Sequence, residues 1–357
     1  MKKIYLLLLL TSVFVQIKAQ DYDIILGGTV SDVETYMQYY LPPLERGLGH
    51  AAGSGVIKFS NTKHKVAFTF GIDLSASITP KSQRSFDINA IGFNELKASE
   101  PDNSFAQSIS GSQESIGLET KQTYLKPTAT YPFYKEVPLS EFDSPEGSGY
   151  AFSPLPTISA GFYGAGTHLS FRFLPTIKPS EDMSVFSYGV NLQHNLDRFI
   201  SPMKEWPVQI SIAGGYHYSQ LIEYLDVQPD ETKFGLELGS DNGPYDDQKA
   251  TLDVVSIPFQ VVVYHDFNGL TVYGGPGYTY TQSDFTLSGN FPVYAKDPFD
   301  NFKVTVKDIR DPFDYSRTYS SFRFDVGINY QIGFAKFKAS YTIAKYQTIY
   351  IGLGFII

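Results

Sequence analysis

The chain has 357 residues, a formal net charge of −9, no cysteine and a mean hydropathy of −0.15. That charge leaves no basic footprint for nucleic acid. The lack of thiols excludes disulfides, cysteine-based metal sites and a lipid anchor on an N-terminal cysteine. Beyond the first 20 residues no run of about 20 apolar residues occurs, which excludes membrane-spanning helices.

Met1-Lys2-Lys3 is a short basic stretch, residues 4–15 are apolar but for Thr11 and Ser12, and Ala19 offers a small residue before Gln20. This pattern predicts a removed secretory signal over 1–19. Residues 20–60 follow as an N-terminal plug or hatch segment. Ser31-Asp32-Val33-Glu34 reads as a capping box opening a short helix through Tyr40, and Pro42-Pro43 reads as its stop. Tyr36, Met37, Tyr39, Tyr40, Leu41 and Leu44 need somewhere to be buried. A plug inserted into a barrel lumen would bury them, and Tyr36, Tyr40, Pro42 and Pro43 are the candidate plug residues.

Residues 61–357 carry a two-residue period. Val66, Phe68, Phe70, Ile72, Leu74, Ala76 and Ile78 alternate with small or polar residues, as do Phe322, Phe324, Val326, Ile328, Tyr330 and Ile332. At the end of the chain Ile349, Ile351, Leu353, Phe355 and Ile357 share one face, with Tyr350, Gly352, Gly354 and Ile356 on the other. In water such a row is a sticky sheet edge, whereas in a bilayer it is a lipid-facing strand. The runs reach the ten or so residues needed to cross a bilayer at a tilt. Their polar face is rich in Gly, Ser and Thr, which suits a crowded lumen. The 28 Phe and 26 Tyr against one Trp suit two aromatic girdles.

The expected fold is therefore all-β, a transmembrane antiparallel barrel of about 12–14 strands. The predicted strands are 65–78, 84–92, 113–121, 157–163, 167–175, 184–195, 206–219, 252–264, 270–288, 319–332, 334–344 and 347–357, with the last closing on the first. Connections near 164–166, 196–205, 265–269 and 333 are short. Those at 122–156, 220–251 and 289–318 are long and rich in Pro, Asp and Gly. Short periplasmic turns and long external loops are the asymmetry of outer-membrane barrels.

By strand parity Asp73, Arg172, His217, Arg323, Asp325 and Lys338 point into the lumen. They form either a charged ligand path or a set of mutually neutralising groups, and mixed signs favour neutralisation. His194 shares the lipid-facing parity of Tyr188 and Leu192, near the periplasmic rim. His168 and Ser170 share a face without a nearby carboxylate, a weak basis for a lipid hydrolase, so no catalytic residues and no enzyme are expected. The acidic runs 241–247 and 297–300 match no calcium-loop spacing. No metal site and no cofactor are expected.

Several stretches resemble an uncharacterised outer-membrane barrel family of Gram-negative bacteria, a domain of unknown function. They are Tyr40-Leu41-Pro42-Pro43-Leu44 with Gly47 and Gly49, Asn61-Thr62-Lys63-His64-Lys65, Pro154-Leu155-Pro156, Arg172-Phe173-Leu174-Pro175, Tyr188-Gly189 with His194, and Val272-Tyr273-Gly274-Gly275-Pro276-Gly277-Tyr278. The N-terminal helix, Pro and Gly pattern is also similar to the long-chain fatty-acid transporters, whose barrels carry an N-terminal hatch. Tyr350-Ile351-Gly352-Leu353-Gly354-Phe355-Ile356-Ile357 resembles the C-terminal signal read by the barrel-assembly machinery, but ends in Ile rather than an aromatic. These resemblances imply the outer membrane as location, and its lipids and the assembly machinery as partners. The hatch-like Tyr/Leu/Pro segment placed before an aromatic-rich barrel of intermediate size points to passive passage of a small hydrophobic molecule as the function. The alternative is a non-transporting surface scaffold or secretion-associated barrel that binds a protein through its long external loops.

Overall fold

In the computed structural model, residues 24, 29–58, 66–129, 134–196, 208–229, 243–299 and 303–357 are described. The expected signal over 1–19 lies outside them. Ten strands form a closed antiparallel barrel: β1 (Val66–Ile78), β2 (Phe152–Gly164), β3 (Thr167–Ile177), β4 (Met183–Asn195), β5 (Gln209–Tyr224), β6 (Lys249–Phe267), β7 (Leu270–Ser288), β8 (Phe313–Ile332), β9 (Ala335–Ile343) and β10 (Gln347–Ile356). Every strand pairs with its neighbours in sequence, and β10 closes on β1 from Thr69↔Ile356 to Ile78↔Gln347. Closure leaves no unpaired edge in hydrocarbon, where an unsatisfied peptide group costs several kcal/mol.

The short turns demand unusual backbone. Ala165-Gly166 and Asn268-Gly269 both sit at positive φ (50° and 81°, 61° and 112°), the conformation of two-residue hairpins whose twist matches the strands.

The expected count of twelve to fourteen strands is corrected to ten. The predicted strands 84–92 and 113–121 belong to a cap over 79–151 rather than to the wall. Their ordered pieces, Ser85–Asp87 and Gly117–Thr120, have three and four residues, too short to cross a bilayer. The first run is broken by the helical turn Ile88–Ile91, capped by the Asp87 carboxylate on Asn89 N (3.0 Å) and ended by left-handed Gly92. The apolar alternation there serves the cap's own interior, where Ile88 and Leu118 are buried.

The long strands change solvent along their length. On β8 the outward residues from Phe322 to Ile332 are apolar and exposed, whereas Asp314, Ser316, Thr318 and Ser320 above them are polar. The inward side inverts in step. Arg323, Asp325 and Asn329 lie below, and Phe313 and Tyr315 above. β6 repeats the inversion at Ser256, with Ile257, Phe259 and Val263 outward below, and Leu252 and Val254 buried inward above. The lower half is thus a membrane barrel with a polar interior. The upper halves of the tall strands, together with the cap, enclose a conventional apolar core.

Inside the barrel lie two helices, α1 (Val30–Tyr40) and α2 (Pro42–Ala52). The cap of α1 is Thr29 rather than Ser31: Thr29 Oγ1 accepts from Asp32 N at 3.3 Å. Pro42 and Pro43 do not stop the helical segment but open α2, because the first-turn N–H groups have no intrahelical partner to lose. Of the expected buried set, Tyr36, Met37, Tyr40 and Leu41 are buried, Leu44 is half-buried and Tyr39 is exposed.

Candidate functional site: the plugged lumen

The plug descends through two environments. At the top, Tyr36 stacks between Tyr40 (6.0 Å) and Phe93 (6.5 Å) and meets Phe86 edge-on (5.2 Å). Burial pushes the Tyr36 phenol up, above the ordinary tyrosine range. The buried Asp32 carboxylate accepts from Asn94 N, Glu95 N and Leu96 N at 2.9, 2.7 and 3.0 Å, pinning the cap to α1. These are charge-assisted bonds, roughly twice as strong as neutral ones. Tyr40 OH donates to Glu146 O at 2.8 Å.

Lower down, α2 presses on the wall through glycine. A Cβ on Gly47 would collide with Ser153, and one on Gly49 with Thr281, so the helix can approach this closely only without side chains there. Ser256 Oγ donates to Gly49 O at 2.7 Å, and the buried Glu45 accepts from the hydroxyls of Tyr315 (2.9 Å) and Tyr319. The end of α2 carries carbonyls with no helical donors. Two wall arginines supply them. Arg172 Nη1 donates to Ala52 O (3.0 Å) and Ser54 O (2.8 Å), and Arg323 Nη1 to Gly53 O (2.7 Å). Positive charge at a helix C-terminus is also where the helix dipole favours it. Arg323 is held in turn by a two-pronged pair with Asp325 (2.7 and 2.5 Å). Below that, Lys58 Nζ pairs with Asp73 Oδ2 at 3.1 Å while Tyr350 OH holds Asp73 Oδ1 at 2.7 Å.

All six sequence-predicted lumen residues are buried on the inner face. Asp73, Arg172, Arg323 and Asp325 converge on the plug. His217 does not join them. It bonds Asn191 Oδ1 (2.8 Å) within the wall. Lys338 faces the same interior beside Lys336, whose Nζ has no hydrogen-bond partner among the described residues. Of the candidate plug residues, Tyr36 and Tyr40 anchor the top, and Pro42 and Pro43 start α2. His194, half-buried near the short-turn end, meets Thr167 Oγ1 through Nδ1 at 2.9 Å. His168 and Ser170 are buried on the lumen face rather than at the lipid boundary.

Sequence reasoning missed Glu45, Arg46, His50, Lys58 and Ser256. The first three sit in α2, beyond the Pro42-Pro43 pair read as the stop of the first helix. Spacing on a helix would have put Glu45 and Gly49 on one face. Lys336 shares the inward parity of Lys338 and was legible on that ground.

A closed meander with an apolar outer belt and a polar, occupied interior defines an outer-membrane β-barrel. The chain belongs to a family of unknown function (DUF6588), whose profile matches residues 1–357. No curated protein matches it. Among solved structures it is similar to Ail, the attachment invasion locus protein of Yersinia pestis (9% identity, 82% of this chain and 97% of that chain covered, TM-score 0.25). It is also similar to the outer membrane transporter YddB from Escherichia coli (10%, 81% and 39%, TM-score 0.30). A third is the translocator domain of autotransporter NalP from Neisseria meningitidis (8%, 91% and 99%, TM-score 0.28). Likeness at these scores carries no argument about role, and none of these findings ties the chain to fatty-acid transporters.

Proposed function

We propose that this protein is a plugged barrel of the Gram-negative outer membrane that passively admits a small hydrophobic molecule when its plug shifts. The observation that carries this reading is the crevice between α1 and the upper wall. It is lined mainly by apolar side chains, Met37, Leu41, Met183, Leu252 and Phe285 among them, with Glu223 as its one charged residue, and holds only about 30 Å³. That is far below the ~300 Å³ of a ligand pocket, so an apolar guest needs plug movement to enter. Outer-membrane lipids surround the exposed belt, and the barrel-assembly machinery inserts it.

The cysteine-free chain permits a direct test. A Cβ at position 47 lies 2.9 Å from Ser153 Cβ, so a small adjustment reaches disulfide geometry in the Gly47→Cys/Ser153→Cys variant. Uptake of a hydrophobic fluorophore into proteoliposomes should stop on oxidation and return on reduction. Uptake that ignores the crosslink overturns a moving plug.

A second reading, a surface scaffold, is favoured by the aromatic side chains the long-loop end shows to solvent: Phe105, Tyr134 and Phe299. It predicts that removing the hairpin of strands Asn290–Lys296 and Val304–Arg310 abolishes one specific protein crosslink on whole cells while leaving fluorophore uptake unchanged. Loss of no crosslink argues against it.

A further inference from the structure

The barrel wall is uneven. β8 runs for 20 residues, whereas its neighbour β9 has 9 and stops at Ile343, opposite Phe324. Above that point β8 stays paired with β7 up to Leu287↔Phe313, but among the described residues no wall strand continues on its β9 edge, and the β9–β10 turn at 344–346 forms a low sill. The sill lies where the outward face of β8 turns from Phe322 to Ser320, which is the level of the bilayer surface.

Behind the sill is a cavity of about 260 Å³ between α2 and the wall. Arg46, His50, Lys345, Tyr319 and Tyr346 line it together with threonine and serine residues of β7 and β8. No carboxylate is among the lining residues, and the nearby Glu45 is occupied by the hydroxyls of Tyr315 and Tyr319. Arg46 and Lys345 instead converge on a neutral group. With its amide oxygen turned toward them, Gln83 accepts from Arg46 Nη1 at 2.9 Å and from Lys345 Nζ at 3.1 Å. The Arg46 guanidinium also lies 4.2 Å over the Tyr319 ring. His50 is buried, stacks on Tyr346, and its Nδ1 has no hydrogen-bond partner among the described residues. Arg46 Nε is likewise buried and unpartnered.

Two cations held a few ångströms apart by one amide oxygen repel each other. Leaving buried donors unmade is costly, and more so when they are charged. A group that carries negative charge and several acceptor oxygens relieves both costs at once. The volume is just below the ~300 Å³ at which small-molecule pockets begin, enough for a compact head and too small for a large ligand. We propose that this cavity binds a phosphate or carboxylate group at the membrane surface, gripped by Arg46 and Lys345. The site stands apart from the apolar crevice, and the proposal does not depend on uptake.

The group can arrive free in solution or as the head of an anionic lipid entering over the sill. Both are tested on the full-length protein in nanodiscs. In phosphatidylcholine discs, calorimetric titration with inorganic phosphate reads the free ion. In discs containing phosphatidylglycerol, native mass spectrometry reads retained lipid. Binding in either arm should weaken at least tenfold in Lys345→Gln, an exposed turn position that leaves the barrel intact, and in Arg46→Gln. Loss in the first arm identifies a soluble anion, and loss confined to the second identifies a headgroup. If wild type and both variants bind phosphate and phosphatidylglycerol alike, the cavity is not an oxyanion site.

Discussion

The upper and lower halves of the same strands obey opposite rules. Above Ser320 on β8 the wall is polar outside and apolar inside, and α1, the cap and Leu252, Phe285 and Phe313 form a core. Below it the wall is apolar outside and the interior is filled by Lys58, Asp73, Arg172, Arg323 and Asp325. Lipid has no hydrogen bonds to offer, so the outer face there must be apolar and polar groups collect inside. The contrast teaches that the plug is fastened twice. Apolar packing dominates around its first helix, with Asp32 pinning the cap to it, and buried charge-assisted hydrogen bonds to the wall hold its second.

The sharpest way to break the lower fastening is Arg323→Met. Asp325 would be left buried with Thr342 as a remaining donor at 2.6 Å, and Gly53 O would lose its partner. Removing one partner of a buried pair costs roughly 3–5 kcal/mol. Hydrogen exchange should rise across α2 while α1 stays protected. Adding Asp325→Leu should restore much of the loss, and a double variant as loose as the single one would rule out the orphaned charge as the cause.

The boundary itself can be located with arginine. Val326→Arg, at lipid-facing depth, should cost about 2–4 kcal/mol. Thr318→Arg, eight residues higher on the same face, should stay within roughly 0.5 kcal/mol. Urea unfolding from liposomes measures both, and equal costs would erase the proposed change of solvent.

Much of this was legible beforehand because lipid enforces a strict period of two. The run Phe322 to Ile332 and the closing run Ile349 to Phe355 announce their outward faces, and parity placed Asp73, Arg172, Arg323 and Asp325 inside. The period of two cannot say which partner lies across a strand. Short cap strands such as Gly117–Thr120 therefore mimic wall strands. It also says nothing of helices. The side chains that meet the wall from α2, Glu45 and Arg46 among them, follow helical spacing inside a stretch whose prolines and glycines suggest a loop. Their partners, Tyr315, Tyr319 and Gln83, are distant in sequence and found only by folding.

The path of the plug has one more consequence. Gln38 is held by Arg317 in the upper half, Gly53 meets Arg323 midway, and Lys58 meets Asp73 and Gln193 below. The chain then enters β1 at the short-turn end. It thus makes an eleventh traverse of the barrel, as a helix and coil rather than a strand. An odd number of crossings leaves α1 and Ile357 on opposite faces of the membrane. The seam of β1 and β10 therefore rings a segment that passes from one face of the membrane to the other.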